Sequence, residues 1–600
     1  MKISKIYCNK PEIFQAVYFN SGLNVIMGEI RLPENKMKDT HNLGKSTLGL
    51  IIDFCLLSSP KSSFFLFKQK EIFKQFSFFI EIELFDSTFI TIRRNVEDNT
   101  KICFKKHKLS KQDFNQILPH EWDHFNLSID KAKDLLDGLL DIKPIKPWSY
   151  RKIVGYLLRS QDDYKDVFLL NKNMRSAHSD WKPFLAHIFG FNADLINFHY
   201  KKDKDLNEIK TQEKFLMNEL GDIIDEISKI DGILLLKQKE IEKKQILLNS
   251  FDFNLQDINK TDSLVNKINE DIAELNSMRY YLVQNRKKIK NSLANNKINF
   301  NPDDVQKLFK EAGVFFEGQI KKDFEQLIAF NKAITEERKN YLKEELAEIE
   351  QKIININKEL EVLNKQQAGS LSYLSETDIF NKYKQFSDDI VTLKADASIL
   401  ENQKQKTHRL HSLQAQIRSL NEEKSHIQND IELDIKSINS DSHSLYSLIR
   451  IFFNEIIENI LDRKALLSIF TNREGHLEFR ADILDELGNT TNQDDGHTYK
   501  KLLCIAFDMA VLKAYLSERY PRFVFHDGVF ESLDRRKKEV LLSTLREYAN
   551  LGIQQIITMI DSEIPNDIDN KNKPFIYPNE IILKLHDDGI DGRLFKMKSW

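Results

Sequence analysis

The chain has 600 residues, 30% of them charged and 41% hydrophobic, with 88 Lys+Arg against 91 Asp+Glu. That length leaves room for several domains, and a net charge of −3 gives no global electrostatic reason to expect a nucleic-acid binder, leaving only a local basic face open. The four cysteines, Cys8, Cys55, Cys103 and Cys504, lie far apart in mostly apolar segments, which points to buried reduced thiols and away from a metal cluster.

In chain order, Met1 to Lys5 leads into a short alternating strand and not a signal peptide. No apolar run reaches the ~18 residues a membrane span needs, so the chain reads as cytoplasmic, with no membrane partner. Residues 1–195 carry strand-like runs at 16–19, 76–84 and 89–93, with helices after Lys45 and around Trp148 to Arg159. Between the apolar runs Leu23–Met27 and Leu48–Phe54 stands Asn42-Leu43-Gly44-Lys45-Ser46-Thr47. A phosphate-binding loop needs backbone N–H groups at a helix N-terminus, a lysine reaching the β/γ-phosphates and a hydroxyl on Mg²⁺. Gly44-Lys45-Ser46 supplies the second half of that pattern. The first glycine, expected five residues before Gly44, is Asp39. Gly28 ends the strand where the loop should begin, so the loop carries an insertion from Ile30 to His41. The alternative is an ordinary helix start with Ser46 near its cap.

Proline then becomes scarce. Seven of the twelve fall at or before Pro183, and only Pro302 follows before Pro521. Because proline costs about 3 kcal/mol in a helix interior, the stretch from ~195 to ~515 can be almost wholly helical. Leu216, Leu220, Ile223, Ile227, Ile230 and Leu234 keep a seven-residue repeat; so do Leu342, Leu346, Ile349, Ile353, Ile356, Leu360 and Leu363, and again Leu410, Leu413, Ile417 and Leu420. That is the period of a left-handed coiled coil. It weakens between Asn295 and Lys332, around Pro302, Gly313 and Gly318. The expectation is an outgoing arm over 196–294, a turning tip over 295–332 and a returning arm over 333–444, with a joint possible near Gly369. A bundle of shorter helices folded back on themselves is the alternative.

Residues 445–600 return to αβ alternation, with a helix from Leu502 to Leu516, a buried strand Phe523-Val524-Phe525-His526-Asp527 and a strand at 555–558. This predicts two half-domains, 1–195 and 445–600, joined by the arms. Asp527 closes its apolar run, the placement that lets a carboxylate reach a Mg²⁺-bound water from a sheet edge. Taken alone it also reads as a turn aspartate. Asp534 follows seven residues later.

With Gly44-Lys45-Ser46 near one end, Asp527 and Asp534 near the other and the heptads between, the chain resembles the SMC/RecN-type coiled-coil ABC ATPases. Residues 40–47 and 495–499 and the His526-Asp527 pair are similar to a narrower set, the ATPases of three-component bacterial antiviral defence systems of the Lamassu type. The resemblance implies an α/β ABC-type ATPase head assembled from the N- and C-terminal halves and joined by a long antiparallel α-helical coiled coil. It implies ATP and Mg²⁺ as cofactors. Gly28, Asn42, Gly44, Lys45, Ser46 and Thr47 would surround the phosphates, with Ser46, Gln161 and Asp527 on the metal and Asp534 in the D-loop. Gly496-His497-Thr498, opening a helix at Tyr499, would take the place of the ABC signature and cap the nucleotide of an opposite subunit, giving a homodimer through the heads.

Three departures qualify this expectation. Gly528 stands where the family has a catalytic glutamate, leaving Glu531 as the nearest carboxylate; Asp561 replaces the switch histidine; the signature keeps one glycine. Slow hydrolysis by Glu531, Asp527 and Gln161 is therefore expected. The absence of Cys-x-x-Cys at the tip excludes a zinc hook. The resemblance also implies DNA, an accessory subunit and a nuclease-type effector as partners. A non-hydrolysing nucleotide-gated scaffold and a DNA-repair or chromosome-maintenance tether are the other readings. The basic runs at 201–204, 286–290 and 535–538 are candidate phosphate contacts, against a default of solvated helix faces.

Overall fold

A computed structural model describes residues 1–32, 43–174, 176–220, 227–249, 258–294, 318–371, 378–485, 488–490, 496–565 and 574–598. The chain divides into two compact units, Met1–Asp205 with Leu420–Trp600, and Leu206–Ser419.

The strands of the first unit are, in chain order, β1 Lys2–Cys8, β2 Val17–Tyr18, β3 Leu23–Glu29, β4 Ser77–Glu83, β5 Phe89–Asn95, β6 Lys101–His107, β7 His124–Ser128, β8 Leu158–Arg159, β9 Ala465–Thr471, β10 Leu477–Ile483, β11 Phe523–His526, β12 Gln554–Ile560 and β13 Ile581–His586. Six form an antiparallel sheet in the order β2-β1-β4-β5-β6-β7, and β9 pairs with β10 as a hairpin. The remaining five form a parallel sheet in the order β13-β3-β12-β11-β8. Parallel strands covered on both faces read as continuous apolar runs, and β11, buried at every position, is the Phe-Val-Phe-His run of the sequence. Two strands of this sheet come from the N-terminal segment and three from the C-terminal one, interleaved so that neither segment can build it alone.

Side chains stitch the two sheets together. The Gln554 amide accepts from Ile3 N at 2.9 Å and donates to the carbonyls of Ile3 and Asn20 at 2.8 and 2.7 Å, doing for two sheets what a backbone ladder does within one. Near the C-terminus, Phe595 lies among Phe14, Phe65, Phe73, Phe76 and Phe78, with ring centroids 5.2–6.3 Å away, joining the chain ends in one hydrophobic core.

In the second unit the seven-residue repeat buries apolar residues as its period predicts: Leu216, Leu220, Leu410 and Leu413 form one cluster, and Ile289, Ile349 and Ile353 another. The partnering differs from a single out-and-back pair. Helix Ile227–Asn249 runs antiparallel to helix Asp378–Ser440, as the ion pairs Lys237–Asp396 and Lys244–Asp389 show. Helix Ile258–Ala294 runs parallel to that same helix, with Asn269 on Ser387 and Ser277 on Ser398, and antiparallel to helix Gly318–Leu371, with Arg279 on Asn357 and Lys290 on Glu350. Ile268, Ile272, Leu360 and Val391 meet in one core drawn from three helices.

Within 196–294, expected as one outgoing arm, helices Ile227–Asn249 and Ile258–Ala294 thus run in opposite directions. A heptad seam fixes a period but not a partner. Of the tip expected over 295–332, residues 295–317 lie outside the described residues, and from Gly318 onward the chain is helical. A polar layer crosses the unit: Gln367 donates to Asn269 Oδ1 at 2.8 Å, and Asn269 donates to Ser387 Oγ at 2.7 Å. Among the described residues no helix is long and apolar enough to cross a membrane, and all four cysteines are buried and free.

Candidate functional site

The parallel register aligns Gly28 of β3 with Ile560 of β12, and His526 of β11 with Ile557 and with Arg159 of β8. The carboxyl ends of four strands therefore share one edge, where open parallel sheets bind ligands. Helix Lys45–Cys55 starts there. Its N-cap is Gly44, at φ 97°, and no side chain caps its first N–H groups. Gly44 is required twice over: the left-handed backbone favours it, and an added Cβ would stand 2.7 Å from Leu594 Cβ. Leu594 N in turn donates to Leu43 O at 3.0 Å, so the C-terminal segment buttresses the start of this helix. A Cβ on Gly28 would lie 3.1 Å from Leu43 and 3.3 Å from Lys45 Cδ, so the strand end passes directly under the lysine stem.

Burial lowers the Lys45 pKa, opposed by the carboxylates of Glu563, Asp527, Glu531 and Asp561. Asp527, 2% exposed, accepts from Thr558 Oγ1 at 2.5 Å, and the same hydroxyl accepts from Gly528 N at 2.8 Å. Gln161 opens a short 3-10 turn after β8 and donates to Glu531 Oε1 at 2.7 Å. Gly528 has φ +64°, and a Cβ there would stand 2.6 Å from Gln161 Nε2 and 3.0 Å from the Glu531 carboxyl. The ends of the Gln161 and Glu531 side chains occupy the space a Cβ at 528 would enter, so a side chain there would require both to shift. Asp561 begins the turn after β12 and accepts from Ile30 N at 3.2 Å.

Gly28, Gly44, Lys45, Gln161, Asp527 and Glu531 are thus gathered at one edge, with Ser46 and Thr47 in the first turn of the lysine's helix. Asn42 lies outside the described residues, as do Asp494 and Asp495. Asp534 caps helix Arg535–Asn550 by accepting from Lys537 N, and the Lys537 side chain holds its carboxyl below the usual range. Neither Asp534 nor Gly496, His497 and Thr498 hydrogen-bonds to Lys45, Gln161 or Asp527 among the described residues. The helix expected to open at Tyr499 begins at His497, with Gly496 as its N-cap.

Five further residues shape the edge. Lys501, 1% exposed, donates to the carbonyls of Gly528 and Glu531 at 3.0 and 2.7 Å and so fixes the loop after β11. Glu563, whose pKa is raised by burial, keeps Oε1 buried without a hydrogen-bond partner while Oε2 accepts from Ile560 N. Arg159 and Asp508 form a bidentate pair at 2.7 Å on both arms, and His526 Nε2 joins Asp508 at 3.1 Å. Burial opposes the Arg159 charge, but the Asp508 carboxylate more than offsets this and raises its pKa. This triad ties β8, β11 and helix His497–Ala514 together immediately before Gln161 and Asp527. The signal for it was a charge inside an apolar run, as in Cys504-Ile505-Ala506-Phe507-Asp508-Met509.

The residues at this edge fit a magnesium nucleotide. An uncapped helix start, a half-buried lysine and two hydroxyls suit phosphate. Four carboxylates facing one lysine leave negative charge that a divalent cation would neutralise. Several residues of the basic runs, by contrast, have protein partners: Lys202 with Glu423, Lys290 with Glu350, Arg535 with Glu539, Lys537 with Asp534 and Lys538 with the Glu563 carbonyl.

Residues 455–599 match the family described as "Uncharacterised protein conserved in bacteria (DUF2326)". The "Uncharacterized protein YydD" of Bacillus subtilis (strain 168) is 23% identical over 427 residues, 68% of this chain and 65% of that protein, so the match spans under two thirds of the relative's length. Among solved structures, the Smc head domain with a coiled coil and joint from Pyrococcus yayanosii is similar at 15% identity and TM-score 0.35, covering 93% of this chain and 92% of that one. The Smc head domain with an extended coiled coil bound to the C-terminal domain of ScpA, from Pyrococcus furiosus, is similar at 12% identity and TM-score 0.36, covering 94% and 90%. Scores this low leave the question of activity to the site itself.

Proposed function

We propose that this chain is an ATP-binding coiled-coil ATPase of the SMC-like kind, with its nucleotide site at the carboxyl edge of the interleaved parallel sheet. One observation carries the reading: Lys45, from the N-terminal segment, faces Asp527, Glu531, Asp561 and Glu563, all from the C-terminal segment. In this reading the N–H groups after Gly44 and the Lys45 ammonium would hold phosphate oxygens, and Ser46 with Asp527 would hold Mg²⁺. The bound nucleotide supplies a γ-phosphoryl group as electrophile. Glu531, oriented by Gln161, accepts the proton of the attacking water. Thr558 keeps Asp527 aimed at the metal, and Lys501 keeps the 528–531 loop in place.

The finer assignments are head-to-head dimerisation through Gly496, His497, Thr498 and Asp534, action on DNA, and control of a nuclease-type effector with an accessory subunit in antiviral defence. These are supported by the resemblance of the motifs. DNA binding draws little support from the basic runs, in each of which at least one cation already has a protein partner. A second reading, a nucleotide-gated scaffold that does not hydrolyse ATP, is favoured by Gly528. Phosphate release with and without linear DNA separates the two, since a scaffold releases none in either condition. The nucleotide assignment itself is tested by calorimetric titration of ATP-Mg into the wild type and Lys45→Ala. A loss of at least about 100-fold in affinity is expected, and equal affinity overturns it.

A further inference from the structure

We propose that His199, Asp203 and His476 form a binding site for a divalent first-row transition-metal ion, with Glu474 as a fourth ligand. The site lies in the first unit, apart from the nucleotide edge, and does not depend on the nucleotide reading. His199 and Asp203 stand four residues apart on helix Ala193–Leu220, and so on one face. His476 comes from the turn between β9 and β10, held by its N–H on Asn472 Oδ1 at 3.0 Å. One ligand atom from each of the three residues lies within 4.8 Å of the other two. Ligand atoms on a single tetrahedral ion stand about 3.4 Å apart, so rotamer adjustments alone would close the set. Glu474 Oε2 is already 3.6 Å from His476 Nε2, and Asp203 Oδ2 is 3.0 Å from it.

A second observation points to a ligand. His199 is 1% exposed and its Nε2 is buried with no hydrogen-bond partner. Such an orphaned ring nitrogen is costly unless something occupies it. The surroundings also orient the ligands. Lys424 pairs with the other Asp203 oxygen, and the His476 ring stacks on Tyr200 at 4.7 Å and meets His199 edge-on at 4.9 Å. Two imidazoles with one or two carboxylates suit Zn²⁺, Mn²⁺, Fe²⁺, Co²⁺ or Ni²⁺ better than Mg²⁺ or Ca²⁺. A bound ion would clamp the start of helix Ala193–Leu220 to the β9–β10 hairpin.

The test uses the full chain, stripped with a chelator and free of nucleotide, titrated calorimetrically with ZnCl₂ and followed by Co²⁺ absorption in the visible. The wild type and Lys45→Ala are expected to bind one Zn²⁺ per chain with equal affinity and to give a tetrahedral Co²⁺ spectrum. His476→Gln and Asp203→Asn are each expected to bind at least about tenfold more weakly and to lose that spectrum. Asp203→Asn preserves shape and decides the matter where His476→Gln does not fold. No Zn²⁺ uptake by the wild type, or equal uptake by the wild type and both variants, overturns the site.

Discussion

In the first unit the contacts that matter join residues far apart in the chain: Arg159 reaches Asp508 across 349 positions and Gln161 reaches Glu531 across 370. In the second unit contacts follow a repeat of seven, and long helices pair by leucine and isoleucine layers. The first arrangement concentrates buried charge around one sheet edge. The second spreads modest apolar burial along a seam, interrupted by the Asn269–Gln367–Ser387 layer. One unit is therefore built to hold a few groups accurately, and the other to keep a register.

If that contrast is right, the largest effect should come from breaking the buried triad. Asp508→Ala leaves the fully buried Arg159 guanidinium without its carboxylate and is expected to destabilise the first unit by about 3–5 kcal/mol. Denaturant unfolding measures this, and a shift within error of zero would break the claim that the edge is held by charge. Next comes Ile353→Ala, which empties part of the Ile289–Ile349–Ile353 cluster and is expected to cost about 2–4 kcal/mol in the second unit. ATP affinity should not change, and a parallel loss of affinity would show that the two units are less separate than described. Smallest is Gly528→Ala, which forces a left-handed backbone on alanine and crowds Gln161. A cost of about 1–3 kcal/mol is expected, together with slower phosphate release. Thermal melting at unchanged Tm would show that neither the backbone nor the Gln161 side chain requires glycine at 528.

The sequence was legible where a local rule governs the outcome. The four-residue strand ending at His526 and the helix starting at Lys45 follow from apolar runs bounded by glycine and aspartate. The heptads announced helices, and the residues they marked are, among the described ones, buried or half-buried, yet Ile268 and Val391 share a core no heptad assigns them to, because a period carries no partner identity. Lys45 and Asp527 were visible because the proposed phosphate chemistry would demand those residue types at element ends. Lys501, Glu563 and the Arg159–Asp508–His526 triad were not, because their roles exist only once two distant segments share a sheet. Gly528 reads as a departure in the sequence, whereas in the structure its left-handed backbone at φ +64° favours glycine.

The central claim is that one site is assembled from both ends of the chain, and amide hydrogen exchange with and without ATP-Mg tests it most directly. The account predicts that nucleotide slows exchange together in residues 44–48, in 527–531 and in 558–563. Protection confined to one end, or none at saturating ATP-Mg, would contradict it.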